Sequence, residues 1–261
     1  MRIDFLTAFP DMFTGPLDES MIRQARERNL VDLFVYDLRA FTTDRHMTID
    51  DSAYGGGSGM VIKPEPVFGG VRFIRRQLPS NRKSRAILLS ARGRRYTQEM
   101  AKELVDADQL ILVCGHYKGI DERVIEGLKL EEVSVGDFVV TGGELPALML
   151  ADSVIRLIPG TLNDLESALS DSFYEGALDC PYYTRPETFE GERIPDVLLS
   201  GHHERIRVWR RQASLQATWL RRPDLLETIP LSKADQLFIA TLRSQNERDN
   251  ARLDRNQEDK E

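Results

Sequence analysis

The chain has 261 residues, 41% of them hydrophobic and 30% charged, which is typical of a globular protein of one or two domains. It has no apolar run long enough to span a membrane and no secretory signal at its N-terminus, so a cytoplasmic protein outside the membrane is expected. Two cysteines, four histidines without ligand spacing and a formal net charge of −7 argue against a metal cluster and, on average, against a nucleic-acid partner.

Strands and helices are predicted to alternate over residues 1–160. The expected strands cover residues 2–8, 31–37, 86–90, 109–113 and 137–140, and the expected helices cover residues 16–29, 67–77 and 97–105, with a further helix beginning at Glu144. This alternation favours a mostly parallel α/β sheet. A polar, glycine-rich connection over residues 42–66 carries His46 and Asp50, and loops of this length are usually functional or disordered.

Glycine-bearing loops follow two of the predicted strands, in VCGHYKGIDERV (113–124) and VSVGDFVVTGGELP (133–146). Glycine allows positive φ and lets main-chain groups approach a ligand, and ligands bind at the carboxyl ends of strands in an open α/β sheet. The segment ARGRRYTQ (91–98) is another candidate binding loop. These loops predict a cofactor site, although two ordinary strand-to-helix turns would show the same spacing.

The character of the sequence changes after Gly160. Residues 161–172 are polar and lack a packing pattern, which predicts a flexible linker between an α/β domain over residues 1–160 and a helical domain over residues 173–245. Residues 246–261 are almost entirely charged or polar and predict a frayed helix or a disordered tail.

The segment HHERIRVWRRQASLQATWLRR (202–222) predicts a helix with a local excess of arginine. Its expected apolar face consists of Ile206, Trp209, Ala213, Gln216 and Leu220. Its central arginines are Arg205, Arg207, Arg210 and Arg211. Because arginine binds phosphate bidentately and stacks on bases, this helix is a candidate RNA-binding surface. A solvated helix whose arginine stems cover a small core is the alternative.

Motifs of several common enzyme classes are missing. The chain has no GxxxxGK[ST] phosphate loop, no GxGxxG after a strand and no GxSxG elbow, which disfavours NTPases, dinucleotide-binding folds and α/β-hydrolases. Asp171, in the polar segment SALSDSF, and Arg156, at the end of the helix that begins at Glu144, are candidate catalytic residues. A helix N-cap is the alternative role for Asp171.

Seven segments together resemble one family, the bacterial tRNA (guanine-37, N1) methyltransferases known as TrmD. These segments are YGGGSGMVIKPEPVF, CGHYKGIDERV, SVGDFVVTGGELPALMLADSVIRLIPG, SDSF, LDCPYYTRPETFEG, PDVLLSGHH and WRRQASLQATWLRRPDLL. They occur in the family's order and spacing from Met1 to about Leu242, and only the polar tail lies outside the resemblance. Several are long and unlike any generic pattern, so the resemblance is specific.

The resemblance implies a SPOUT-type α/β fold whose C-terminal part, about residues 86–160, forms a deep trefoil knot, a topology that periodicity would not predict. It also implies S-adenosylmethionine as the methyl donor and a homodimer whose subunits share each active site. The implied cofactor-binding residues are Leu89, Ser90, Gly115, Tyr117, Gly119, Val135, Gly136, Asp137, Phe138, Val139, Val140, Gly142 and Gly143. Side chains at the glycines would occupy the cofactor's volume.

The implied reaction is methylation of N1 of guanine 37, next to the tRNA anticodon and preceded by guanine 36. Asp171 matches the family's general base, and Arg156 matches the residue that stabilises negative charge on O6. The helical domain would hold the anticodon branch through Arg205, Arg207, Arg210 and Arg211, and His46 and Asp50 are further candidate tRNA contacts.

This chain departs from the family's pattern in one loop. Lys118 stands where many members have glutamate in a GRYEG-like segment, and His116 replaces an arginine. An acidic role there, such as contact with magnesium, therefore lacks its residue, and magnesium is a candidate ligand on the family's pattern alone.

Two other functions stay open at this point. One is a catalytically silent relative that uses the fold and the arginine helix as an RNA-docking module. The other is a SPOUT methyltransferase that acts on ribosomal RNA or on a ribose hydroxyl. The joint presence of Asp171, Arg156 and the pair Gly142–Gly143 favours an enzyme over a silent relative.

Overall fold

The computed structural model describes residues 1–162 and 170–258, with side chains up to residue 248. The chain forms two compact units, Met1–Leu165 and Glu166–Glu261. The division between them falls inside the segment 161–172 that the sequence predicts as a linker; residues 163–169 of that segment lie outside the described residues.

The first unit is built from strands and helices that alternate along the chain. Its strands are β1 (Arg2–Thr7), β2 (Asp32–Asp37), β3 (Asp50–Ser52), β4 (Met60–Ile62), β5 (Ser84–Arg95), β6 (Gln109–Cys114) and β7 (Glu131–Ser134). Its helices are α1 (Ser20–Glu27), α2 (Pro64–Arg75), α3 (Gln98–Val105), α4 (Glu122–Leu128) and α5 (Glu144–Ile155). Short 3-10 helices cover Pro10–Phe13, Pro16–Asp18 and Leu38–Phe41.

Five strands form one parallel sheet in the order β2-β1-β6-β5-β7, and β3 and β4 form a separate antiparallel hairpin. Every residue of the central strand β6 is buried, because helices cover both faces of the sheet. Leu110, Leu112 and Cys114 pack into a core with α1, α3 and α5, whereas Ile111 and Val113 pack into a second core with α2 and α4. The mostly parallel α/β class is confirmed, and the knot stays a prediction.

The predicted loop ARGRRYTQ is mostly strand. β5 continues past residue 90 to Arg95 alongside β7, with a register shift after Leu89. Gly93 makes this possible, because a Cβ there would lie 2.3 Å from the carbonyl carbon of Glu132. Such a close approach of two backbones requires glycine, and the prediction of a loop over these residues is wrong for that reason.

Two other predicted elements have different bounds. The predicted strand 137–140 is a loop, because β7 ends at Ser134, whose hydroxyl bonds to the N–H and the carbonyl of Gly136, with φ at +155°. The predicted helix 16–29 is interrupted, because Glu19 is extended between the turn Pro16–Asp18 and the start of α1.

The second unit is mainly helical. Its elements are β8 (Thr188–Phe189), β9 (Glu192–Arg193), α6 (Asp196–Leu199), α7 (His203–Arg221), a 3-10 helix (Pro223–Glu227) and α8 (Lys233–Glu258). Leu215 of α7, Leu226 and Ile239 form its core. Residues 246–258 continue α8, where the sequence predicts a frayed helix or a disordered tail.

The predicted apolar face of α7 is wrong at its C-terminal end, although Ile206, Trp209 and Ala213 are half-buried. Gln216 is exposed and Leu220 is 63% exposed, whereas Leu215 and Thr218 are buried. The hydroxyl of Thr218 accepts the N–H of Leu178 at 3.0 Å. This side of α7 is therefore covered by the backbone around Leu178 as well as by apolar side chains. Among the described residues, no helix is both long enough and apolar enough to cross a membrane.

Candidate functional site

A pocket of about 1000 Å³ opens at the carboxyl edge of the sheet, within the first unit. Strands β5, β6 and β7 reach this edge side by side, since Leu89 pairs with both Cys114 and Val133. The loops that follow these strands line the pocket, together with parts of the β3–β4 hairpin and the residues that precede α5. Open α/β sheets bind their ligands at this edge.

The structure brings most of the predicted cofactor residues together in this pocket. The lining positions among them are Leu89, Ser90, Gly115, Tyr117, Gly119, Val135, Phe138, Val139, Val140, Gly142 and Gly143. Gly136 and Asp137 do not line it. Gly136 instead turns the loop and leaves room for the ring of Phe138, which a Cβ at position 136 would approach to 2.7 Å.

The loop 115–119 is held by the β3–β4 hairpin. The N–H of Lys118 donates to the carbonyl of Met60, and the N–H of Ile62 donates to the carbonyl of Gly119, both at 3.0 Å. Positive φ values at Tyr117 and Gly119 turn the loop between these bonds. The glycine-rich connection 42–66 therefore supplies one wall of the pocket.

Gly142 and Gly143 are required by the protein itself. A Cβ on Gly143 would lie 2.7 Å from the Cα of Cys114, and a Cβ on Gly142 would lie 2.2 Å from Nε2 of His116. The N–H of Gly143 also donates to the carbonyl of Gly115 at 2.9 Å. At Gly115, by contrast, the nearest atoms to a Cβ would be at 3.8 Å, an ordinary contact. Contacts within the protein therefore explain Gly142 and Gly143 without a ligand.

Glu144, the first residue of α5, is fully buried and joins three chain segments. Its Oε1 accepts the hydroxyl proton of Thr7 at 2.5 Å, and its Oε2 lies 2.7 Å from Nε2 of His116. The Thr7 oxygen accepts the N–H of Phe9 at 2.9 Å, and the rings of Phe9 and His116 lie 4.5 Å apart between centroids. A helix N-terminus favours a carboxylate at this place.

Sequence reasoning missed Thr7 and Glu144. The available signal was weak: Glu144 is a charged residue opening the apolar helix ELPALMLADSVI, and Thr7 ends an apolar strand. Because these residues are 137 positions apart in the chain, their contact follows from the parallel sheet and not from any local pattern.

Most charged groups around the pocket are paired. Arg92 lies 2.9 Å from Glu122, and Arg123 lies 2.7 Å from Asp121, whose pKa is lowered by this hydrogen bond. Burial, and secondarily the nearby Glu144, raises the pKa of the Cys114 thiol well above its usual value. Cys114 is therefore a neutral packing residue, as its sequence context predicts.

Arg156 and Asp171 belong to different units. Arg156 follows α5 directly, and its N–H donates to the carbonyl of Asp152 at 3.0 Å. Asp171 lies in a series of turns over residues 170–176, and its carbonyl accepts the N–H of Tyr174 at 3.2 Å. The residues after Asp171 form turns and not a helix, so the N-cap alternative is wrong.

The arginines of α7 have different surroundings. Arg211 pairs with Asp235 of α8 at 3.1 Å and is half-buried, and Arg207 forms an exposed pair with Glu204 at 2.7 Å. Arg205 and Arg210 are exposed, and no carboxylate of the described residues lies within ion-pair distance of either. These two are the side chains of the set most available to an anionic partner.

His46 and Asp50 lie outside the pocket. His46 is exposed in a turn where its N–H donates to Asp44 at 2.9 Å, and Asp50 begins β3 opposite Ile62. The next residue, Asp51, lines the pocket. Within residues 1–162 and 170–248, no group of three or more histidine, cysteine, aspartate or glutamate side chains is placed to hold a metal ion.

A parallel α/β sheet with a glycine-walled pocket at its carboxyl edge is typical of α/β proteins that bind nucleotide-sized ligands. The sequence profile of the tRNA (guanine-1)-methyltransferase TrmD family matches residues 1–228. The chain belongs to this family, as its motifs predict.

Curated relatives support the same assignment. The chain is 50% identical over 240 residues to a protein of Bacillus licheniformis, covering 92% of this chain and 98% of the relative. It is 52% identical over 239 residues to one of Dehalococcoides mccartyi, covering 92% and 96%. It is 48% identical over 245 residues to one of Dictyoglomus turgidum, covering 94% and 98%. Each relative is named tRNA (guanine-N(1)-)-methyltransferase.

Proposed function

We propose that this enzyme transfers a methyl group from S-adenosylmethionine to N1 of guanine 37 in tRNAs that carry guanine 36. The observation that carries this proposal is membership of the methyltransferase family over residues 1–228, combined with a pocket of about 1000 Å³ built from that matched region. Because the substrate is tRNA, the cytoplasm is the proposed place of action.

The pocket fits S-adenosylmethionine in size and in the chemistry of its walls. Leu89, Gly115 and Val135 place strand ends and main-chain groups along it, and the half-exposed rings of Tyr117 and Phe138 offer apolar surface. Adenosine needs such a mixture of apolar contacts and a few main-chain hydrogen bonds. When bound, the cofactor supplies a methyl group activated by its sulfonium.

Guanine N1 carries a proton and is a poor nucleophile until that proton leaves. In this proposal the carboxylate of Asp171 accepts the proton. Negative charge then develops on O6, and the guanidinium of Arg156 stabilises it. The turn closed by Tyr174 and the end of α5 hold these two residues, and substrate binding supplies the alignment for transfer.

No residue is assigned to magnesium in this proposal. The loop 115–119 carries the cationic side chain of Lys118, and no cluster of metal-ligating side chains is found among the described residues. The steps above need only a proton acceptor, a cation beside O6 and the methyl donor.

The proposal is tested with labelled S-adenosylmethionine and an unmodified tRNA transcript that has guanine at positions 36 and 37. We expect methyl transfer to this transcript and none to a transcript with adenine at position 37. A transcript with adenine at position 36 should be a poor substrate. Equal labelling of all three transcripts would contradict the proposed position.

The two alternative functions predict different results in the same assay. A silent RNA-binding relative would bind the transcript and transfer no label. An enzyme for ribosomal RNA or for a ribose hydroxyl would label ribosomal RNA, or would label the transcript with adenine at position 37 as well.

We propose that α7 binds the tRNA backbone chiefly through Arg205 and Arg210. Replacing both by alanine should weaken tRNA binding and reduce the slope of log K against log salt by about 0.7–0.9 for each arginine. Arg211→Ala should instead lower the free energy of unfolding by about 1–2 kcal/mol, because the nearly buried carboxylate of Asp235 loses its ion pair and keeps the N–H of Ser232 as a hydrogen-bond donor.

Filter binding at several salt concentrations and urea unfolding separate these two effects. An unchanged salt slope in the Arg205/Arg210 double variant would remove α7 from the tRNA-binding surface.

We propose that a second copy of the chain covers an apolar surface of the first unit. Val139 is 85% exposed, and Leu145 and Met149, one helical turn apart on α5, are 52% and 55% exposed. Exposed apolar residues grouped in this way mark protein interfaces. Sedimentation should show a dimer for the wild type and a monomer for the variant with Leu145→Lys and Met149→Lys.

The matched control is Leu237→Lys, which places the same charge on an exposed leucine of α8. A dimer that survives both α5 substitutions would place the interface elsewhere.

A further inference from the structure

The buried carboxylate of Glu144 has a geometry that the proposed chemistry does not use. Glu144 is fully buried and does not line the pocket, whereas its partner His116 does. A buried charge is costly unless it is paired and hydrogen-bonded. The presence of a carboxylate at the start of α5, between two hydrogen-bond partners, therefore needs an explanation other than ligand contact.

The hydrogen bonds around Glu144 run in one consistent direction. The hydroxyl of Thr7 donates its single proton to Oε1 of Glu144, and the hydroxyl oxygen accepts the N–H of Phe9. The second oxygen, Oε2, lies 2.7 Å from Nε2 of His116, and because an ionised carboxylate can only accept, this hydrogen bond requires the tautomer with a hydrogen on Nε2. The carboxylate thus ties the end of β1 and the loop after β6 to the first turn of α5.

The surrounding backbone supports the same junction. His116 and Gly142 form an isolated antiparallel β-bridge, and the N–H of Gly143 donates to the carbonyl of Gly115. A Cβ at Gly142 would lie 2.4 Å from Oε2 of Glu144 as well as 2.2 Å from the His116 ring. Glycine at this position is therefore needed for the hydrogen bond between His116 and Glu144 to exist.

We propose that Glu144 is a positioning residue that, through Thr7 and His116, holds the loop 115–119 against Gly142–Gly143 and so keeps the cofactor pocket in its binding shape. Glu144 touches no reacting atom in this account. Its effect reaches the ligand through His116 and through the main chain of the loop 115–119. The part of this inference that concerns cofactor affinity rests on the proposed function.

Two substitutions of His116 distinguish a positioning role from a simple packing role. His116→Gln restores an N–H donor near the place of Nε2 but loses the ring that packs on Phe9. His116→Phe keeps a ring against Phe9 but leaves Oε2 of Glu144 buried without a donor. Positioning predicts that glutamine is the better substitute, and packing predicts that phenylalanine is.

We expect His116→Phe to weaken S-adenosylmethionine binding by about tenfold or more, and His116→Gln to weaken it by less than about threefold. For both variants, kcat at saturating cofactor and tRNA should fall by a smaller factor than the affinity for S-adenosylmethionine, because the reacting groups are untouched. Thr7→Val should weaken cofactor binding as His116→Phe does. Its control is Thr42→Val, which removes a hydroxyl that donates to the carbonyl of Arg39.

Hydrogen exchange of the ligand-free variants tests the inference without the cofactor. The amides of Lys118, Gly119 and Gly143 should exchange faster in His116→Phe than in His116→Gln, while those of β6 stay protected in both. Faster exchange in the glutamine variant, or equal exchange in both, would overturn the inference. Wild-type protein that binds no S-adenosylmethionine would overturn the proposed function alone, since the exchange result would still stand.

Discussion

Replacing Asp171 by alanine is expected to reduce the rate of guanine-37 methylation by about 10²–10⁴-fold, because general bases contribute factors of this size. Binding of S-adenosylmethionine should stay close to wild type, since the described residues that line the pocket all lie between positions 51 and 146. Asp171→Asn should lose a similar factor, because the amide keeps the size of the side chain but cannot accept the N1 proton. Single-turnover methylation and calorimetric titration of the cofactor measure the two quantities.

The matched control for this substitution is Asp196→Ala. Asp196 is an exposed aspartate of the same unit, paired with Arg193 at 3.1 Å. Its removal should leave both the methylation rate and cofactor binding unchanged. If Asp171→Ala retained most of the wild-type rate on a transcript with guanine at positions 36 and 37, the proposed base would be wrong.

Gly143→Ala is expected to lower the free energy of unfolding by about 3 kcal/mol and to impair cofactor binding, because overpacking costs about 1–3 kcal/mol and the rigid backbone here places the cost at the upper end. The added methyl group would lie 2.7 Å from Cα of Cys114 and 2.9 Å from the amide nitrogen of Gly115. Relief requires the chain before α5 to move away from β6, which breaks the hydrogen bond between Gly143 and Gly115. Urea unfolding and cofactor titration measure the loss.

Gly115→Ala is the control, because its Cβ would meet its nearest neighbours at an ordinary 3.8 Å. Its free energy of unfolding should differ from wild type by less than about 0.5 kcal/mol. Equal stability of the Gly143→Ala and Gly115→Ala variants would contradict the close approach described for Gly143.

The parallel sheet could be predicted from the sequence because its central strand carries a continuous apolar run. QLILVC is buried on both faces, and the glycine loop that follows it lies at the carboxyl edge, where the pocket opens. Most of the predicted cofactor residues also line this pocket, but the family resemblance and not the local composition predicted them. Local composition was sufficient wherever an element contacts its neighbours on all sides.

Other elements depend on partners that are distant in the chain. The apolar run 137–140 has strand composition, yet the Ser134 hydroxyl and Gly136 end β7 before it. The ARGRRYTQ segment looks like a loop, yet Gly93 lets it continue along β7. In each case a single side chain, or the lack of one, decides the outcome.

The same limitation applies to α7 and to the candidate site. A helical-wheel spacing assigned Leu220 to the buried face, whereas the partner segments lie against Leu215 and Thr218. The hydrogen bonds between Thr7, His116 and Glu144 join the end of β1, the loop after β6 and the start of α5, and no periodicity relates them. Spacing identifies a face only when the partner's position is known.

The central claim is tested most directly by nucleoside mass spectrometry of a tRNA transcript incubated with the enzyme and S-adenosylmethionine. The account predicts 1-methylguanosine, mapped by nuclease fragments to position 37, in an amount that depends on the cofactor. A methylated ribose, a methyl group on another base or position, or an unmodified transcript would contradict it.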